Sequence, residues 1–195
     1  SIGVAREQRV LLILNDSPAF PVAFFGAIRI GAVPAPINPL LREDDYRHVV
    51  DDTDASVVIA EAMYVEKLIK ALHGHPDRVT IVVSGEPIAG CTPLEELLAA
   101  QESDLAPAST HRDDMAFWLY SSGSTGRPKG VVHLQHDIPY TCHTYARQIL
   151  DMQEDDVAFG RVLFHAYGLG NCLSFPFSVG AAAVLYSTRP TPAGL

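Results

Sequence analysis

The residues best suited to chemistry lie in one short stretch, residues 120–130, with the sequence YSSGSTGRPKG. It combines glycines and small hydroxyl side chains with one lysine, Lys129, near its end. Glycine lets the backbone turn tightly and approach a ligand, hydroxyls donate hydrogen bonds, and lysine brings a flexible positive charge. Because backbone amides in such a turn form an anion-binding concavity, the stretch favours a polyphosphate ligand. A flexible Gly/Ser linker is the alternative.

The flanks and the spacing of this stretch narrow the kind of phosphate loop it forms. Residues 115–119 and 131–134 are apolar segments that predict strands on both sides of it. A Walker A loop needs Gly-Lys and then Ser or Thr at the start of a helix, whereas Lys129 precedes Gly130 and a strand-like segment. The glycine spacing and helix start of a dinucleotide-binding fingerprint are missing too. We therefore predict a mobile lid that joins two strands and folds over phosphates.

The elements that must position this loop alternate between strand and helix patterns. Apolar runs of strand length occur at residues 9–14, 56–60 and 79–83, and helical spacing occurs at residues 20–31, 42–52 and 61–72. This alternation predicts an α/β fold, a mostly parallel β-sheet flanked by helices, as one domain over residues 1–195. Residues 33–37 carry prolines typical of a sheet edge. The polar, proline-bearing residues 101–112 predict an internal linker.

Further elements are predicted beyond the loop. Ile138, Cys142, Tyr145 and Ile149 recur at helical spacing, which predicts one apolar face on a helix that begins near Asp137. The later elements are expected in this order: a strand at 157–164, a glycine-bearing turn at 165–170, a helix at 171–179 that is interrupted at Pro176, and a strand at 182–186.

Composition limits the partners and the compartment. A formal net charge of -9 argues against a general nucleic-acid or anionic-membrane partner and leaves a local anion site open. The cysteines Cys91, Cys142 and Cys172 lack the paired spacing of a zinc or redox site, which favours a reduced, cytoplasmic protein. The histidines show no spacing that predicts a metal site. No apolar run reaches the roughly 18 residues that span a bilayer.

With these residues in view, the chain resembles a known family. The segment YSSGSTGRPKGVVH is similar to the signature phosphate loop of the adenylate-forming superfamily of acyl- and aryl-CoA synthetases, luciferases and peptide-synthetase adenylation domains. The tract RVLLILNDSPAFPVAFFGAIRIGAVPAPINPLL resembles the segment upstream of that loop, and RVLFHAYGLGNCL resembles the acyl-site motif downstream. Within the superfamily, LFHAYGLGN is most similar to the benzoate–CoA ligase branch.

The resemblance implies a two-step reaction that uses ATP, Mg²⁺ and coenzyme A. A carboxylate attacks the α-phosphorus of ATP to give an acyl-adenylate and pyrophosphate, and the thiol of coenzyme A then displaces AMP. The resemblance makes Lys129 the loop cation and catalytic residue. It assigns the remaining phosphate contacts to hydroxyls and to glycine backbone in the loop: Ser121, Ser122, Gly123, Ser124, Thr125 and Gly126.

The resemblance also assigns the acyl pocket. It places His165 at an aromatic gate beside the pocket and makes Ala166, Tyr167 and Gly168 candidates for the pocket wall, with the small Ala166 leaving room for a flat ring. Two positions depart from the family pattern. The gate motif often has a proline where this chain has Val162, and the benzoate branch often has an aromatic ring where His165 stands.

Later motifs of the family have no counterpart in the 195 residues. These motifs supply a metal-contacting acid, a ribose-binding aspartate and a catalytic lysine. We therefore expect a fragment of a larger ligase that folds alone without catalysing, with the remainder of the ligase chain and a small carboxylic acid as its partners. Two alternatives stay open, an adenylation domain that loads a carrier protein and a non-catalytic nucleotide-binding module.

Overall fold

The first half of the chain is organised around a five-stranded parallel sheet. The computed structural model describes residues 2–72, 78–101, 104–122, 126–160 and 162–187. The strands of the sheet are β1 (Arg9–Ile13), β2 (Val33–Pro36), β3 (Val57–Glu61), β4 (Thr80–Ser84) and β5 (Thr92–Pro93). Their order is β2-β1-β3-β4-β5, and each neighbouring pair is parallel. The predicted α/β fold is confirmed, and the proline-bearing β2 lies at the sheet edge as predicted.

Helices cover both faces of this sheet. They are α1 (Ala19–Arg29), α2 (Glu43–Thr53), α3 (Ala62–Ala71) and α4 (Leu94–Ala99). Successive residues of β1 point to opposite faces, so Val10 and Leu12 join the core cluster of α1, whereas Leu11 and Ile13 join that of α2 and α3. Because both faces are buried, β1 is apolar from Val10 to Ile13 instead of alternating with polar residues.

The second half of the chain adds an antiparallel hairpin and a smaller parallel pair. β6 (Met115–Ser122) and β7 (Pro128–Leu134) form the hairpin. α5 (Asp137–Thr141) continues into a π-helical segment, Cys142–Arg147. α6 (Ala166–Leu169) continues into a second π-helical segment, Gly170–Ser174, and then into α7 (Phe175–Val179). β8 (Val157–Phe159) pairs in parallel with β9 (Ala182–Val184).

Two predictions for the second half are wrong. The strand predicted over 157–164 ends at Phe159, and the turn predicted over 165–170 is helical from Ala166 onward. The helix predicted to begin near Asp137 is confirmed. Of its predicted apolar face, Ile138 and Cys142 pack in a cluster with Phe175, and the Tyr145 ring contacts Phe175 at a centroid distance of 5.7 Å, whereas Ile149 is 69% exposed.

Residues 104–111 have no regular secondary structure and lie against α1. Arg29 Nε donates a hydrogen bond to the Leu105 carbonyl oxygen at 2.8 Å, and the Ala108 N–H donates to the Arg29 carbonyl oxygen at 2.8 Å. The role of residues 101–112 as an internal linker stays a prediction. Within the described ranges, no helix is both long enough and apolar enough to cross a membrane.

Candidate active site

The predicted phosphate loop is the connection of the β6–β7 hairpin. Ser121 lies directly opposite Lys129, and Ser122 lies opposite Pro128, so both strands run up to the loop. Gly126 has a φ of 91°, in the left-handed region that glycine adopts without strain. The remaining predicted loop residues, Gly123, Ser124 and Thr125, lie outside the described residues. The strands predicted on both sides of the loop are confirmed, and the mobility of the loop stays a prediction.

The hairpin presents two different faces because side chains alternate along a strand. Lys129 and Ser121 lie on the same face as Phe117, Leu119 and His133. The side chain of Lys129 is exposed. Within the part of the chain that the structure describes, its ammonium group makes no hydrogen bond or ion pair. A solvent-exposed cation at the mouth of a glycine-rich turn can therefore approach a phosphate directly.

The other face of the hairpin is fastened to α2. Tyr120 Oη donates a hydrogen bond to Asp52 Oδ2 at 2.6 Å, and His48 Nε2 donates to the Pro128 carbonyl oxygen at 2.9 Å. Burial, followed by the hydrogen bond to Asp52, raises the pKa of Tyr120, so its hydroxyl stays a donor. These two contacts hold both strands immediately beside the loop. On the opposite face, Lys129 is exposed, while Phe117 and Leu119 are buried.

A cleft of about 150 Å³ lies on the lysine-bearing face of the hairpin. Its walls come from β6, β7, α5, α6, the Gly170–Ser174 segment and α7: Phe117, Leu119, His133, Asp137, Ile138, Thr141, Ala166, Leu169, Gly170, Ser174 and Phe175. Most of these side chains are apolar or aromatic. An apolar cavity of about 150 Å³ is large enough to hold a benzene ring. The arrangement therefore suits a small flat aromatic ligand.

The polar corner of the cleft is built from β7 and α5. The His133 ring stacks on Phe117 with a centroid distance of 4.5 Å and an interplanar angle of 5°. His133 Nδ1 donates to Asp137 Oδ2 at 3.2 Å, and the same oxygen accepts the Leu134 N–H at 3.0 Å. These contacts fix the ring of His133 in the cleft wall. His133 lies four positions beyond Lys129 in β7, a distance of roughly 13 Å along a strand.

The structure brings one of the four predicted acyl-pocket residues into this cleft. Ala166 lines it, while His165, Tyr167 and Gly168 do not. His165 caps α6, where its Nδ1 accepts the Tyr167 N–H at 3.3 Å. Tyr167 is 67% exposed, and Gly168 is buried. The contribution of these three residues to an acyl site stays a prediction.

Sequence reasoning missed most of the cleft wall. The alternation of side chains along two predicted strands could have placed Phe117 and His133 on the face of Lys129. Phe175 had no such signal, because it reaches the cleft only through the packing of α7.

Across the described residues, no group of three or more His, Cys, Asp or Glu side chains is arranged to hold a metal ion. Ser121 and Lys129, which are exposed beside the loop, suit contacts with phosphate oxygens. The described residues identify no magnesium ligands.

The chain belongs to the family of AMP-binding enzymes, which matches residues 1–195. This match confirms the predicted resemblance to adenylate-forming enzymes.

Among its relatives are benzoate–CoA ligase from Thauera aromatica, 44% identical over 100% of this chain, and 4-hydroxybenzoate–CoA/benzoate–CoA ligase from Rhodopseudomonas palustris, 42% identical over 97%. The chain spans 37% and 35% of the length of these two relatives. A crystal structure of a benzoate CoA ligase from Burkholderia xenovorans LB400 matches with a TM-score of 0.90 at 41% identity, over 99% of this chain and 38% of that one. An anthranilate CoA ligase in complex with anthranoyl-AMP matches with a TM-score of 0.92 at 34% identity, over 96% of this chain and 37% of that one. The resemblance to the benzoate–CoA ligase branch is confirmed.

Proposed function

We propose that the chain is part of an ATP-dependent acid–CoA ligase that converts an aromatic, benzoate-like carboxylic acid to acyl-AMP and then to acyl-CoA. One observation carries this proposal. The hairpin face that presents Lys129 also forms the wall of an apolar cleft large enough for one aromatic ring. The names of the relatives, which are benzoate and anthranilate ligases, support the same substrate class.

The loop residues would bind and stabilise the phosphates of ATP. Lys129 would neutralise the negative charge that develops on the departing pyrophosphate, which is a stabilisation specific to the transition state. Ser121, Ser122, Ser124 and Thr125 would donate hydrogen bonds, and the backbone at Gly123 and Gly126 would approach the phosphates closely. Mg²⁺, when bound to the phosphates, would supply additional positive charge.

The cleft would hold the ring of the acid. The small side chain of Ala166 would leave room for the ring, and Phe117 and Phe175 would supply aromatic contacts. His133, held by Asp137, provides a polar group in a mostly apolar surface. His165, Tyr167 and Gly168 would border the entrance to this site, since they adjoin Ala166 in the chain. Binding of a ring here would orient its carboxylate for attack on ATP, which is a positioning effect.

The active protein is proposed to be longer than this chain. The chain spans 37% of the Thauera relative. Large apolar side chains are exposed along its second half: Val131, Val132, Tyr140, Tyr145, Ile149, Leu150, Val157, Phe159, Tyr167, Phe177 and Val184. Exposed apolar surface of this kind is typical of contacts with other protein segments. We propose that the remainder of a cytoplasmic ligase covers it, and that these 195 residues are inactive alone.

The decisive experiment uses the full-length enzyme with ATP and coenzyme A. A panel of benzoates and fatty acids is assayed for pyrophosphate release and for acyl-CoA. Pyrophosphate release and acyl-CoA formation with benzoates are expected. Formation of acyl-adenylate without acyl-CoA would contradict coenzyme A as the acceptor and favour a carrier protein. If no acid gives pyrophosphate release, the proposed ligase activity is wrong.

A matched pair of variants tests the loop cation. Lys129→Ala is expected to lower turnover by about a hundredfold or more with ATP binding largely kept, because one charge-stabilising group is lost. Arg127→Ala is the control, since Arg127 is an exposed cation of the same hairpin loop. Equal turnover in the two variants would refute a transition-state role for Lys129.

A further inference from the structure

A buried carboxylate joins the parallel sheet to the segment that carries Ala166. Asp16 follows β1 and is 5% exposed. Its Oδ2 accepts the Val162 N–H at 3.1 Å, and its Oδ1 accepts the Leu163 N–H at 2.8 Å. A buried charge needs such hydrogen bonds, because its transfer from water is otherwise very unfavourable. The two contacts therefore fix the backbone at residues 162–163 relative to β1, although Val162 and Leu163 lie 146 and 147 positions after Asp16 in the chain.

The backbone that Asp16 holds is strained. Val162 has a φ of 52°, in the left-handed region, and it is a β-branched residue for which this conformation is a genuine outlier. Such conformations persist only where the surrounding structure determines them, and they concentrate at functional sites. At such a turn, the N–H groups of successive residues point the same way and form a concavity that binds an anion. The carboxylate of Asp16 occupies that concavity, so it stabilises the strained backbone.

The strained residue opens the turn that leads into α6. The His165 N–H donates to the Val162 carbonyl oxygen at 2.9 Å, and α6 begins at the next residue, Ala166. The position of Val162 therefore sets the direction in which α6 starts. Because Ala166 lines the cleft, the same turn sets where that wall of the cleft lies.

The other side of this segment is confined by the Gly170–Ser174 segment. A Cβ atom on Gly160 would lie 2.1 Å from Cys172 Sγ, which leaves no room for any other residue there. Burial, and then the negative charge of Asp16, raise the pKa of the Cys172 thiol. Residues around the turn are thus held between β1 on one side and the cleft-forming helices on the other.

We propose that Asp16 is a positioning residue for the acyl-binding site: by holding Val162 in its left-handed conformation it fixes the start of α6 and the place of Ala166 in the cleft wall. Asp16 is buried beneath the turn and is not among the residues that line the cleft. The proposal rests on the proposed function, because it takes the cleft as the site of the acid. It assigns Asp16 to acid binding and not to ATP binding.

The test compares four variants of the full-length enzyme. Asp16→Asn keeps the size of the side chain and removes its charge and one acceptor oxygen. It is expected to raise the KM for benzoate by roughly tenfold, while the KM for ATP moves much less. Val162→Gly is expected to lessen the dependence on Asp16, since glycine adopts a positive φ freely, so Asp16→Asn/Val162→Gly should recover much of the affinity. Asp104→Asn, at an exposed carboxylate, is the matched control.

A second readout separates this proposal from the proposed function. Amide hydrogen exchange of peptides covering 162–170 is expected to be roughly tenfold faster in Asp16→Asn, with the exchange of β1 and β3 unchanged. This measurement holds even if the wild-type enzyme activates no aromatic acid, a result that would refute the proposed function alone.

Three results would overturn the positioning role. One is an unchanged KM for benzoate together with unchanged exchange in Asp16→Asn. Another is a parallel rise of the KM for benzoate and for ATP that Val162→Gly does not relieve. The third is failure of both Asp16→Asn and the double variant to fold, which would assign Asp16 to folding alone.

Discussion

The hydrogen bond that attaches the β6–β7 hairpin to α2 allows the size of a stability change to be predicted. Tyr120→Phe removes the hydroxyl that donates to Asp52 Oδ2 at 2.6 Å and leaves the ring in place. A hydrogen bond to a charged group contributes about 1.5–3 kcal/mol to stability. Asp52 is exposed, so water replaces most of the lost bond and no buried carboxylate is left without a partner. We expect the free energy of unfolding to fall by about 1 kcal/mol, or about 2–4 °C in Tm.

The assay is urea unfolding of the 195-residue chain, followed by tryptophan fluorescence. Trp118 lies on the same face of β6 as Tyr120, so its emission reports on the packing of this face. Tyr140→Phe is the matched control, because Tyr140 is 67% exposed and its hydroxyl has no partner among the described residues. A double-mutant cycle with Asp52→Ala isolates the pair, and we expect a coupling energy of about 1 kcal/mol.

Two results would refute this reasoning. If Tyr120→Phe behaves like Tyr140→Phe, or the cycle shows no coupling, the hydrogen bond contributes nothing and packing alone holds the hairpin on α2. A loss above about 3 kcal/mol would mean that the hydroxyl satisfies a group hidden from water. The second contact, from His48 to the Pro128 carbonyl oxygen, remains in every variant and keeps the hairpin attached.

Three further predictions concern the cleft, the core and the chain itself. In the full-length enzyme, Ala166→Leu should raise the KM for benzoate by roughly tenfold or more by filling the cleft, whereas Ala106→Leu, at an exposed position, should leave it unchanged. Burial raises the pKa of Tyr46, so the unfolded chain loses this proton first. The resulting stability is present below about pH 10 and is lost as the pH rises further, and Tyr46→Phe should flatten that alkaline decline in urea titrations. Finally, the 195-residue chain alone should give no ATP–pyrophosphate exchange, and a clear exchange signal would contradict the proposal that it is inactive.

The sheet and its helices could be predicted because their signals are local. A buried parallel strand such as β1 is an uninterrupted apolar run, and the helices that cover it repeat their apolar residues every three or four positions. The same signals predicted a helix from Asp137 and did not show that part of it is π-helical. A π-helical segment has the composition of an α-helix, so nothing in the sequence shows that Cys142–Arg147 departs from the usual spacing.

The sequence alone determined the family, the position of the predicted loop between two strands, and the alternation of strands and helices that forms the parallel sheet. These depend on residues that are close in the chain, namely the loop of residues 120–130 and the periodic segments before it. Only the tertiary structure decided which distant residues meet: Asp52 with Tyr120, Asp16 with Val162, and Phe175 with the hairpin. The physical reason is that such contacts depend on how whole elements pack, and the pattern of neighbouring residues carries no record of that packing.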